Sequence, residues 1–163
     1  MRSILTSVIV LLASSIAFAY PAVNDMSTLV GTATMQTGEK YDMSLEMKLT
    51  QFDAAQNSYF QVNTTTVAGN AQKEEAWVKA SDLISADQVK NVLANCTQFG
   101  GRVEDVATKV GVFKTCAMLK EDQSQEATYW IGDVPFGIVK AIVTSKTEGY
   151  TVDLTVESFQ AGK

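Results

Sequence analysis

The sequence predicts a mainly β domain of the α+β class: a curved antiparallel sheet of about eight strands in up-and-down order, packed on one inserted helix near 85–95. Three observations carry this expectation. Apolar residues recur at every second position in several segments, one segment switches to a period near 3.6, and glycine, proline and asparagine fall between the segments.

The clearest alternation is Tyr41, Met43, Leu45, Met47 and Leu49 against Asp42, Ser44, Glu46 and Lys48, the pattern of a strand buried on one side. Leu29 to Gln36 precedes it, joined by Thr37-Gly38-Glu39-Lys40, a short Gly-containing link that suits a hairpin. Asn57 to Val67, rich in Thr, Val and aromatics, pairs in sequence with Gln72 to Lys79 across Ala68-Gly69-Asn70. From Ser85 the period changes. Val89, Val92, Leu93 and Cys96 share one side of a helix, Ser85 with Gln88 makes a capping box, and Ile84 with Val89 makes a hydrophobic staple. Asn95 and Gly100-Gly101 mark the exit. Strands resume over Arg102 to Thr108, Val112 to Lys120, Ala127 to Ile131 and Ile138 to Ser145, with corners at Gly111 and at Val134-Pro135-Phe136-Gly137. Tyr150, Val152, Leu154 and Val156 alternate with Thr151, Asp153, Thr155 and Glu157 in the closing strand.

The first nineteen residues read as an address. Met1-Arg2, the apolar run Ile4 to Ile16 and Ala17-Phe18-Ala19 form a secretory signal with small residues where a signal peptidase cuts. A membrane anchor is the other reading, but the run is shorter than the roughly 20 residues a bilayer needs. The expected organisation is a cleaved signal peptide at 1–19 and a single β-rich domain at 20–163, exported to the periplasm or beyond and not membrane-spanning. Removing Arg2 takes the formal charge from -5 to -6 and leaves Arg102 as the sole arginine.

Composition then excludes function classes. Acid exceeds base, 18 to 13, so no clustered cationic face is expected and no nucleic-acid partner. There is no histidine, the side chain most used for proton transfer near neutral pH and for metal binding. No Gly-x-Ser-x-Gly elbow or phosphate loop occurs. Glu74-Glu75, Glu104-Asp105 and Glu121-Asp122 are adjacent acids that point to opposite faces of a strand, which makes poor acid/base couples. The expectation is therefore a non-enzyme with no cofactor and no metal site.

Two cysteines in an exported chain imply pairing, so Cys96 and Cys116 are expected to form a structural disulfide that ties the helix exit to a strand. Free thiols are the alternative; a redox pair lacks Cys-x-x-Cys spacing. Closing a loop of about 20 residues contributes about 3 kcal/mol in the chain-entropy model.

What remains are apolar surfaces. Met43, Leu45 and Met47, with Trp77 and Trp130, are candidates to line a ligand site, because methionine adapts to irregular apolar partners and aromatics make broad platforms. The alternative is that they pack against the helix as ordinary core.

The second half also carries a resemblance. Gly101-Arg102-Val103-Glu104-Asp105-Val106, Gly111-Val112-Phe113-Lys114-Thr115-Cys116 and Tyr129-Trp130-Ile131-Gly132-Asp133-Val134-Pro135-Phe136-Gly137-Ile138-Val139-Lys140 resemble uncharacterised exported bacterial proteins with a lipoprotein-carrier-like fold. The resemblance implies a curved sheet partly enclosing helical material, and a hydrophobic ligand or a lipidated protein as partner. The leading expectation is a binding protein that holds a hydrophobic or acyl-chain ligand on the concave face. Its rival is a structural or protein-interaction component of the bacterial envelope that works through a sheet edge.

Overall fold

The structure is a computed structural model and describes residues 20–162. The signal peptide read at 1–19 lies outside the described residues.

Nine strands form one sheet, one at each of the nine segments that read as strands in the sequence, against the count of about eight expected there: β1 (Met26–Met35), β2 (Lys40–Asp53), β3 (Ser58–Val67), β4 (Asn70–Lys79), β5 (Arg102–Thr108), β6 (Gly111–Glu121), β7 (Gln125–Ile131), β8 (Ile138–Ser145) and β9 (Tyr150–Gln160). Their spatial order is β4-β3-β2-β1-β9-β8-β7-β6-β5. Every neighbouring pair is antiparallel. The order is up-and-down around a ring whose opening falls between β4 and β5. Because β1 and β9 run in opposite directions, β4 and β5 must run in the same one. The chain therefore has to return the length of a strand between them.

Residues 80–101 make that return, through a 3-10 turn at Ala80–Asp82 and the helix α1 (Ala86–Ala94). The capping box forms as the sequence predicts: Ser85 Oγ accepts the Gln88 N–H at 3.2 Å, and Gln88 Oε1 accepts the Ser85 N–H at 2.7 Å. Val89 is fully buried and packs with Ile84 and Tyr20, so the staple also forms. At the β7–β8 corner Gly137 has φ 70°, and a Cβ there would sit 2.9 Å from an Ile84 methyl. Glycine is what lets the corner reach the helix entrance.

The Cys96–Cys116 disulfide is present, with Cα atoms 5.6 Å apart and both residues buried. A Cβ on Gly101 would run into both sulfurs, so the glycine pair after the helix makes room for the bridge as well as ending the turn. Two apolar clusters complete the sheet's packing. Leu29, Ala33, Met47, Val152 and Leu154 bury one face at the β1–β9 seam. Val134, Val139 and Val156 gather Val106, Phe113 and Phe159 from the β5–β6 hairpin and β9. Each fully buried aliphatic side chain of this kind contributes roughly 1.5–3 kcal/mol.

Candidate functional site

Residues directly opposite each other in a ladder share a face, so the pairing register sorts the side chains. Leu45 faces Leu29, which faces Val156; Met47 faces Ser27; Tyr129 faces both Met118 and Ala141. These positions belong to the inner face. A cavity of about 730 Å³ opens on it, within the size range of small-molecule sites. Met47 and Leu49 of β2, Gln61 of β3 and Val78 of β4 form one wall. Met118 and Lys120 of β6, with Tyr129 and Ile131 of β7, form the other. Since strands from both halves of the sheet meet across it, this face is the concave one. Leu83 and Ile84 of the return segment cross between the walls, and Phe136 and Ile138 come from the β7–β8 corner.

The mouth lies where backbone pairing stops. β4 is an edge strand, exposed along nearly its whole length. β5 begins opposite Ala117, so the stretch of β6 beyond it, with Leu119 and Lys120 exposed, has no neighbour on that side.

The inner end is closed by the segment ahead of β1. Tyr20, Pro21 and Asp25 line the cavity. The Tyr20 ring is buried against Ala86 and Val89, its hydroxyl donates to Asp133 Oδ1 at 3.1 Å, and its carbonyl accepts the Ala86 N–H at 3.1 Å. Tyr59 donates to the Pro21 carbonyl at 2.9 Å. Asp25 extends the β1–β2 ladder, accepting the Leu49 N–H on its backbone carbonyl. Its carboxylate accepts the Ala22 N–H at 2.6 Å and the Gly162 N–H at 2.7 Å, tying both ends of the described chain together. Burial pushes the Asp25 carboxyl above its ordinary value, and these two N–H donors only partly offset that. Burial, and then the nearby Asp133 and Asp25 carboxylates, hold the Tyr20 phenol well above its usual range.

The structure separates the residues singled out from sequence. Met47 lines the cavity. Met43 and Leu45 share its face but pack on the seam cluster instead. Trp77 and Trp130 point the other way, because each alternates with a cavity residue, Val78 for one and Tyr129 and Ile131 for the other. On the convex face Trp77 packs at a tilt against Phe60, ring centroids 5.2 Å apart. Trp130 donates its indole N–H to Glu104 Oε2 at 2.6 Å beneath the Lys140 ammonium, which lies 5.2 Å from the ring centroid. That indole bond, and then Arg102, hold the Glu104 carboxyl below its ordinary value.

Two walls escaped the sequence reading. Alternation in Cys116-Met118-Lys120 and Tyr129-Ile131 signals an inner face, but only the long-range β1–β9 pairing brings it opposite β2. The Tyr20–Asp25 segment carries no periodic signal at all. Among the described residues no group of three or more His, Cys, Asp or Glu side chains is placed to hold a metal, and no helix is long and apolar enough to cross a membrane.

No family model matches the chain, and no curated protein matches it. Two solved structures are similar. One, from Bacteroides fragilis, is a candidate exported protein with a YmcC-like fold, 14% identical, covering 88% of this chain and 99% of its own, with a TM-score of 0.45. The other is a LolA superfamily protein from Nitrosomonas europaea, 8% identical, covering 90% of this chain and 89% of its own, with a TM-score of 0.28.

Proposed function

We propose that this protein is an exported, non-catalytic binding protein whose concave sheet face takes up the hydrophobic part of an amphiphile, an acyl chain or its equivalent. One observation carries the reading: a cavity of about 730 Å³ whose walls are mostly Met, Leu, Ile, Val and aromatic side chains, open to solvent between two unpaired strand edges. An apolar cavity of this size gains from any occupant that removes its walls from water. A lipidated protein would fit the same cavity, its chain inside and its polypeptide outside the mouth. Holding rather than converting is favoured by the lining itself. Its buried carboxylate, Asp25, is engaged on both oxygens by backbone N–H groups and has no second buried acid beside it. The exposed β4 edge supports a second reading, a protein-interaction role in which a partner strand extends the sheet.

Native mass spectrometry of protein purified from the exported fraction, together with analysis of its organic extract, separates the two. The expected result is a co-purifying amphiphile that is lost in Met47→Glu and Ile131→Glu but kept in Trp77→Ser and Trp130→Ser. A clean apo mass in repeated preparations, with nothing extractable and no uptake of added single-chain amphiphiles, overturns the binding reading.

A further inference from the structure

Two polar groups are buried at the inner end of the chamber: Asp25, which lines the cavity, and Ser27, two residues further along the chain. Asp25 is 1% exposed and Ser27 is fully buried. The two are separated by one residue at the start of β1, so both project to the concave face; Ser27 is directly opposite Met47, a cavity-wall residue. Ser27 Oγ has no hydrogen-bond partner. A buried hydroxyl in that state ordinarily marks a missing water or ligand group. Asp25 has its two N–H donors, yet each of its oxygens keeps a free lone pair, and it makes no ion pair with any described lysine. Lys120 lies at the exposed mouth, on the opposite wall. The inner end therefore presents acceptors and a carboxylate met by backbone N–H groups but by no cationic side chain, inside an apolar chamber, a setting in which a buried carboxylate favours a cationic partner.

We infer that Asp25 and Ser27 form a headgroup subsite, and that the amphiphile held on the concave face carries a primary ammonium, bound head-inward with its chain running out between the two walls. This rests on the binding reading above and narrows it to one chemical class. The ammonium donates to the free lone pairs of Asp25 and to Ser27 Oγ, while a carboxylate head would meet like charge with no donor beyond a single hydroxyl.

The test is competition for a polarity-sensitive naphthalene dye by decylamine, decanol and decanoate, below their micelle concentrations, at pH 7 and at both low and 0.5 M salt. The expected order is decylamine at least tenfold tighter than decanoate, with the preference surviving high salt because the pair is buried. Asp25→Asn should bring that ratio to within threefold of one, and Ser27→Ala should reduce it at least threefold. If Asp25→Asn does not fold by circular dichroism, Ser27→Ala decides alone. Equal or tighter decanoate binding, or a preference unchanged in the variants, overturns the subsite and leaves the chain-binding reading standing. Failure of the dye and of all three amphiphiles to bind overturns both.

Discussion

Replacing Tyr20 tests whether the segment before β1 is a structural wall of the chamber. The ring is 4% exposed and packs on Ala86, Val89 and Ile84, so Tyr20→Ala removes a fully buried aromatic. Truncations of that kind cost about 3–5 kcal/mol, because the lost transfer energy is joined by the space left behind. Tyr20→Phe keeps the ring and loses only the bond to Asp133, whose side chain reaches solvent, at a cost of about 1 kcal/mol. Urea denaturation measures both. At a slope of roughly 1–3 kcal/mol per M for a domain of this size, the alanine variant should move its midpoint down by about 1–3 M or more, and the phenylalanine variant by a fraction of that. Dye uptake should follow a different order, retained in Tyr20→Phe and weakened in Tyr20→Ala, whose chamber is open at the inner end. A Tyr20→Ala midpoint within the change expected for about 1 kcal/mol, or unaltered uptake, would show that the ring neither anchors the segment nor closes the cavity.

Reducing the Cys96–Cys116 bridge should cost about 3 kcal/mol, the chain-entropy value for a loop of its sequence separation of 20, read as the difference in urea midpoint with and without reductant; no difference would mean the helix exit is held by packing alone. Asp25 has a folded-state pKa raised above the 3.8 of the unfolded chain, so its contribution to stability is present below that value and lost as pH rises through the raised one. Asp25→Asn should therefore flatten the decline in urea midpoint across that window, and an equally steep decline in the variant would assign it to other groups.

Much of this fold was legible in the chain, and the parts that were not share a cause. Alternation, β-forming composition and turn residues located every strand, but at Leu49 to Gln51 the β2–β3 register shifts, and a bulge hides the continuation of a strand from a period-of-two reading. That is why β2 reads as ending at Leu49 when it runs to Asp53. The same happens in β9, where the register against β1 shifts beside Val156 and the strand continues to Gln160. The helix was readable down to its cap, because capping is settled by neighbours three residues apart. The site was readable only in part. Alternation puts Trp77 and Val78 on different faces, as it does Trp130 and Tyr129, yet nothing local says which face will be concave. That is decided by the pairing of β1 with β9, a contact between the two ends of the domain. Met47 was found because its strand alternates cleanly; Met118 and Ile131 were missed because their importance depends on that distant seam.

The seam also sets an order of events in the making of the protein. β1 to β4 form one run of hairpins and β5 to β9 another, each built from contacts between consecutive strands, whereas Met26 waits for Gln160 and Asp25 for Gly162. Local hairpins assemble early and distant pairings late. The chamber therefore comes into being in the last step, when the final strand arrives, and until then the inner edge of β1 stands bare. A chain with that schedule has no finished chamber during its own synthesis.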